Sequence, residues 1–337
     1  MSQQLAEQIA QEFIDFMDEF HQHEQPYDDK MDEEFYRQYA NILKEQSKWG
    51  YFNWKTAPDG TPRPLFSPSS AGKSERELYE KAIRSKKDQR NPNRNQRDWT
   101  GLGSQVGGYI QREVMLAERH FEKLTGKKPR FKFERTDRNE PAFEHFKKVI
   151  HEVEHNGEKF GLNGLPDGIL EYISDDGEII RVGLEVKSFQ KGYTDFKKHE
   201  KPKIDHELQT IVYSEMYNLD YYIILYHLTY GADWKRDFSR NKAYGKYITQ
   251  DDRNELFDKF ARVTKAKRTG MAPSLDLGSW NFNDYKTAIA EGFTDEEYAE
   301  LKVQVKRIMK SNIPDWKKRQ ALDAWEFIAD IRKGESA

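Results

Sequence analysis

Cysteine is absent from the 337 residues, which removes disulfides, thiolate nucleophiles, cysteine-ligated zinc and iron–sulfur clusters from the available chemistry. Long apolar runs are missing too. No stretch approaches the roughly 18–20 residues that a membrane span requires, so a spanning protein is excluded. The opening MSQQLAEQIAQEF has no basic segment followed by an apolar one, so no secretory signal is read there and a cytoplasmic location is expected. Net charge is small at −3 and mean hydropathy low at −0.99, with 36% hydrophobic against 34% charged residues. The 20 Phe, 18 Tyr and 7 Trp argue against disorder and suffice for one large or two small domains. Carboxylates, lysine, histidine, hydroxyls and amides are left to carry any chemistry.

The small total charge hides local patches. Residues 1–40 hold 11 acidic side chains against 2 basic ones. Between Arg84 and Arg97 six basic residues face Asp88 alone, and Arg262, Lys265, Lys267 and Arg268 form a second basic cluster. Such patches suit phosphate, although a charge run is more often a solvated face. NPNRNQRD reads as a mobile loop.

Apolar spacing predicts an amphipathic helix over LAEQIAQEFIDFMDEF and a second over about 32–49. Residues 57–72, rich in Pro, Gly and Ser, read as a linker. Helices follow at about 75–86 and 104–124, then strands at PRFKFER, GILEYI, IIRVGLEVKSF and YYIILYHL. Helices are expected between them at about 141–155 and 204–218, and beyond Tyr230 near 250–265, 294–311 and 315–333. The reading is therefore α/β: a mixed sheet flanked by helices within 61–230, a helical region at 1–60 and another at 231–337.

Three pieces of the core fit together. GLPDGIL sets Asp167 at the mouth of a strand after a turn that Gly164 permits. In IIRVGLEVKSF, alternation puts Glu185 and Lys187 on one face, opposite Leu184 and Val186. A charged pair in an apolar strand is costly unless it faces a polar cleft. In HELQTIVYSEMY, Gln209 and Tyr213 share one helical face. ISDDGE is a good hairpin turn, so Asp167 falls beside Glu185 on a neighbouring antiparallel strand. Two such carboxylates make a hard oxygen site suited to Mg²⁺ or Mn²⁺. A structural ion pair would explain Asp167, Glu185 and Lys187 alone; the added Q-x-x-x-Y favours a catalytic site.

Asp167, then Glu185-Val186-Lys187, then Gln209-x-x-x-Tyr213 resemble the PD-(D/E)XK nucleases, in the RecB-like branch that includes phage lambda-type exonucleases. SPSSAGKSERELYEKA (67–82) is similar to that branch's opening segment, with Ser74 where a cluster cysteine often stands. GGYIQREVMLAERHFEKLTG (107–126) is similar to its first core helix, with Gln111 where His or Glu usually contacts metal. The resemblance implies a restriction-endonuclease-like core and a Mg²⁺- or Mn²⁺-dependent DNA nuclease without an iron–sulfur cluster, more an exonuclease than an endonuclease. Asp167, Glu185 and the Val186 carbonyl would hold the metal, with Gln111 alongside, and Lys187, Gln209 and Tyr213 would complete the catalytic set. Lys73, Arg76, Arg90 and Arg94 are the candidate contacts to DNA. A recombination or replication protein, or further copies of the chain, are the additional partners it allows.

Two other readings are carried. One is a non-catalytic nucleic-acid-binding protein that keeps the nuclease fold, suggested by Gln111. The other is a zinc peptidase on His151 and His155, which satisfy HExxH. Against the latter, Glu154 lies between the histidines and Asn156-Gly157 ends the expected helix at once, so a charged surface helix is preferred. Gly72-Lys73-Ser74 lacks the first glycine of a phosphate-binding loop. Tyr193 and Trp234, near basic residues, are candidates to stack on a nucleotide.

Overall fold

The structure is a computed structural model, described here for residues 2–48, 62–89, 93–230 and 237–334. Helix α1 (Gln3–His21) and α2 (Asp29–Gln46) come first, followed by the short strand β1 (Leu65–Phe66), α3 (Glu75–Ala82) and the long α4 (Arg94–Thr125). Strands β2 (Phe131–Phe133), β3 (Val149–His155), β4 (Glu158–Gly164), β5 (Gly168–Ile173) and β6 (Ile179–Phe189) follow. The short α5 (Tyr193–Lys197) and α6 (Ile204–Tyr217) lead to β7 (Tyr221–Leu228) and β8 (Asn241–Tyr247). Helices α7 (Gln250–Thr269), α8 (Lys286–Glu291), α9 (Asp295–Lys310) and α10 (Asp315–Arg332) complete the chain.

The main sheet has the order β2-β5-β6-β7-β8. β5 and β6 form an antiparallel hairpin whose turn uses Gly177 at φ 82°. β6 and β7 run parallel, which requires a crossover, supplied by α6. β8 closes the sheet antiparallel to β7. One face carries Val182, Leu184, Val186, Ile223 and Leu225 against α1 and α4. The other carries Ile169 and Tyr222 against α6 and α7. Each large apolar side chain buried this way contributes about 1.5–3 kcal/mol. This is the expected fold class: a mixed sheet between helices, in the helix–hairpin–crossover–strand order of a restriction-endonuclease-like core, with helices added at both ends. The helices beyond Leu275 pack around their own cluster, including Trp280, Ile289, Leu301 and Ile328.

Four local expectations are corrected. Residues 141–155 are not a helix. A short 3-10 turn (Glu144–Lys147) precedes β3, which pairs with β4 from Val149↔Gly164 to His155↔Glu158. Asn156 and Gly157 both have positive φ, 51° and 76°, the backbone of a two-residue hairpin turn rather than a helix end. The linker assigned to 57–72 lies outside the described residues up to 61, and its second half is core: Phe66 stacks on Phe260 with ring centroids 4.3 Å apart. Helix α4 begins at Arg94, not 104, with the Asn93 side chain accepting the Asn95 N–H at 2.9 Å. The region after Tyr230 contains strand β8. At Gly245 a side chain would run into the Ala6 backbone, so glycine there lets α1 cross close to the sheet.

Candidate active site

The hairpin register sets the site. Gly168, the first residue of β5, pairs with Leu184, and there the ladder ends. β6 continues through Phe189 with β7 on one side only. Asp167, one residue before β5, therefore comes beside Glu185 at an open edge of β6. Its Oδ2 accepts the Val186 N–H at 2.7 Å. The N–H and C=O of a strand residue point to the same edge, so the Val186 carbonyl also faces the opening.

Glu185 is 1% exposed. The Lys187 ammonium is ion-paired with it and donates to Gln209 Oε1 at 3.0 Å. Gln209 is hydrogen-bonded in turn to the Tyr213 hydroxyl. That hydroxyl donates to the Leu165 carbonyl at 2.5 Å, so α6 braces the loop carrying Asp167. From the other side, Gln111 Nε2 donates to the Asp167 carbonyl at 2.9 Å. Gln111 thus touches the site through its donor end, as a brace of the loop. Gly164 has ordinary backbone angles; a Cβ there would stand 2.8 Å from Pro68 Cγ and Tyr213 Cε1, so close packing rather than turn geometry requires glycine.

Burial raises the pKa of Asp167, and the neighbouring Glu185 charge raises it further against the opposing pull of Lys187. Burial likewise raises Glu185, with Lys187 opposing. Asp167 lies deep in the fold yet keeps a partly accessible surface, whereas Glu185 is sealed; both shifts follow first from burial, and like charge adds to it at Asp167. His206 hydrogen-bonds the Tyr226 hydroxyl at 2.7 Å, and burial lowers its pKa to about 3, leaving a neutral ring near Lys187.

One acidic residue here was not anticipated. Glu144 sits at φ 43° in the 3-10 turn; its N–H donates to the Pro166 carbonyl at 2.7 Å, and its carboxylate takes the Tyr39 hydroxyl at 3.2 Å and Gln111 Nε2 at 3.4 Å. Its charge adds to the upward push on Asp167. Reading 141–155 as a surface helix hid it. Among the described residues no three His, Asp or Glu side chains are grouped to hold a metal. The donor set is therefore two carboxylates and a backbone carbonyl, hard oxygens that fit Mg²⁺ or Mn²⁺ with water completing the shell. Two wider clefts, of about 830 and 790 Å³, lie elsewhere and are lined by none of these residues.

The expected DNA contacts fare unequally. Arg76 is corrected: at 1% exposure it is buried, with its Nε held by Glu80 and its Nη1 by Glu297 and the Pro273 carbonyl, so it does not reach a backbone phosphate at the surface. Lys73 is tied to Glu77 and the Phe282 carbonyl at 2.9 and 3.1 Å. Arg90 and Trp234 lie outside the described residues. Arg94 is exposed at the start of α4. In the downstream cluster Arg262 and Arg268 pair with Glu75 and Glu158. Tyr193 lies 4.8 Å from the Lys197 ammonium. The zinc reading is corrected too: His151 and His155 lie on a strand, where four residues span about 13 Å, and pair separately with Glu215 and Asp258.

No family model and no curated protein matches the chain. Among solved structures it is similar to SSO0001, at 11% identity and TM-score 0.37, over 73% of this chain and 93% of that one. It is also similar to LHK-Exo, an alkaline exonuclease from Laribacter hongkongensis, at 12% identity and TM-score 0.35, over 62% of this chain and 90% of that one. The same exonuclease in complex with dAMP matches at 12% and 0.35, over 62% and 89%.

Proposed function

We propose that the chain is a divalent-metal-dependent nuclease that hydrolyses DNA phosphodiester bonds from the ends of linear DNA. The observation that supports it is the convergence of Asp167, Glu185 and Lys187, from separate segments, on an edge of β6 that β5 leaves open. The ordered Asp167, Glu185-Val186-Lys187 and Gln209-x-x-x-Tyr213 pattern, which resembles lambda-type exonucleases, supports DNA ends as the substrate. Asp167, Glu185 and the Val186 carbonyl would hold Mg²⁺ or Mn²⁺, which when bound makes a water more acidic and offsets charge on the scissile phosphate.

The other roles belong to the chain's own groups. Lys187, held by Gln209, presents an ammonium where negative charge builds on the phosphate oxygens. Gln111 and Tyr213 fix the Asp167 loop from opposite sides, so that the two carboxylates keep their spacing. The test is degradation of linear DNA with Mg²⁺. Asp167→Asn and Lys187→Met are each expected to reduce the rate by about 10²–10³-fold, with circular dichroism unchanged. Wild-type inertness on DNA with both metals would reject the reading.

Gln111, an amide where the family pattern has His or Glu, favours as second reading a non-catalytic DNA-binding protein of the same fold. Calorimetric titration with Mn²⁺ separates the two: binding lost in Glu185→Ala supports the enzyme, and no binding supports the alternative.

A further inference from the structure

Helix α4 has 32 residues, about 48 Å at 1.5 Å each, and its halves differ. From Val106 onward it is packed against the sheet; residues 94–102 are exposed throughout. This overhang carries Arg94, Arg97 and Trp99, the indole 55% exposed. Neither arginine side chain has a hydrogen bond or ion pair among the described residues. Gly101, Gly107 and Gly108 have nothing within 4 Å of where a side chain would stand. Four glycines within eight residues weaken a helix by up to about 1 kcal/mol each relative to alanine, so local propensity does not account for the helix here.

The overhang is attached beside the site. Gln190 Nε2 donates to the Trp99 carbonyl at 2.9 Å, and a Cβ on Gly103 would lie 3.3 Å from Ser188 Oγ. Ser188 follows Lys187 on β6, where the strand has its open edge, and faces the α4 side of the sheet; Gln190 lies just past the strand's end. Past the strand's end the Lys191 side chain is exposed and without a polar partner among the described residues. The later lysines of this connection lie toward β8, where Lys242 and Tyr244 hydrogen-bond the Lys197 and His199 carbonyls, away from the open edge. Free cations thus stand on the α4 overhang and at the end of β6, with a solvent-facing aromatic ring beside them. Guanidinium and ammonium groups suit a polyanionic backbone, and an exposed indole suits the face of an unpaired base.

We infer that Arg94, Arg97 and Trp99 of α4, with Lys191 at the end of β6, form a track for a single-stranded nucleic-acid end, Trp99 stacking on a base near the carboxylates. The inference takes its location from the nuclease reading, but it is tested without cleavage. Binding of a labelled single-stranded oligonucleotide is measured by fluorescence anisotropy in EDTA. Trp99→Ala weakens it on the order of tenfold or more and Trp99→Phe restores most of the loss. Arg94→Gln and Arg97→Gln each lower the slope of log affinity against log salt by about 0.7. A blunt duplex of the same sequence, offering no unpaired base, shows little dependence on residue 99.

The track is overturned if Trp99→Ala binds the strand as wild type does, or if the loss is equal for strand and duplex. The two failures are distinguishable. Cleavage lost in Asp167→Asn together with an inert Trp99→Ala keeps the nuclease and rejects the track. Binding through Trp99 without cleavage by wild type keeps the track and rejects the nuclease.

Discussion

Two of the buried charged clusters among the described residues differ in how their carboxylates are held. Around Arg76 each carboxylate has a close donor: the guanidinium meets Glu80 at 3.1 Å, Glu297 at 2.8 Å and the Pro273 carbonyl at 3.1 Å, while Ser85 donates to Glu80 at 2.6 Å and Lys73 to Glu77 at 2.9 Å. At the open edge of β6, Asp167 and Glu185 share one ammonium, and both are pushed toward the protonated state. The first cluster fastens α3 to the C-terminal helices. The second crowds two carboxyls whose pKa values burial raises, at a place solvent can reach. A divalent cation would relieve that cost. Buried charge by itself is no mark of a functional site, and carboxyls pushed toward protonation are the better one.

The contrast can be broken at the Arg76 cluster. Arg76→Met leaves Glu80 and Glu297 without their cation in the interior, and is expected to cost about 3–5 kcal/mol in urea unfolding. A near-neutral result would mean that the cluster opens to water and that the comparison fails.

The Asp167 cluster sharpens the contrast in the opposite direction. Without divalent metal, Asp167→Asn is expected to stabilise the protein, by about 1–4 kcal/mol at neutral pH if removing one buried charge relieves the pair. The sign follows from linkage. Asp167 has a raised pKa in the folded state, so its protonated form contributes stability below the unfolded carboxylate value, and that stability is lost as pH rises through the folded one. The wild type therefore weakens more steeply with rising pH than the Asn variant, which keeps only the raised Glu185, and the gap between their melting temperatures opens toward alkaline pH. Added Mn²⁺ should narrow it by stabilising the wild type alone. A gap constant from pH 4 to 9 would contradict the raised pKa of Asp167.

The smallest effect belongs to the brace. Tyr213→Phe removes the hydrogen bond to the Leu165 carbonyl and the one from Gln209, each worth roughly 0.5–1.5 kcal/mol in urea unfolding. Its loss of Mn²⁺ affinity should exceed that of a matched Tyr217→Phe control, whose hydroxyl holds the Lys147 carbonyl instead.

Much of the sheet was legible because β5, β6 and β7 are apolar, β-branched or aromatic runs with turns between them, and local propensity there agrees with the tertiary pairing. The trio at the edge was legible for a related reason: Glu185 and Lys187 break the apolar pattern of β6 on a single face. What was missed lies where local and long-range signals part. Asn156-Gly157 is a strong hairpin signal, but the apolar spacing of Phe146, Val149, Ile150 and Val153 also fits a helix, and with β3 misread Glu144 disappeared from view. The start of α4 is rich in Asn and Gly, residues that favour loops, so its helical state was invisible. β8 is short, polar and interrupted by Gly245, whose purpose appears only once α1 lies across it.

Because the ladder between β5 and β6 stops at Gly168 and Leu184, the last five residues of β6 have a strand neighbour on one side alone, and on the other the Val186 N–H is held by the Asp167 side chain. A ligand held by Asp167 and the Val186 carbonyl would add a second tie at that edge. Loading the site would then stiffen the strand as well as neutralise it, joining occupancy to local rigidity.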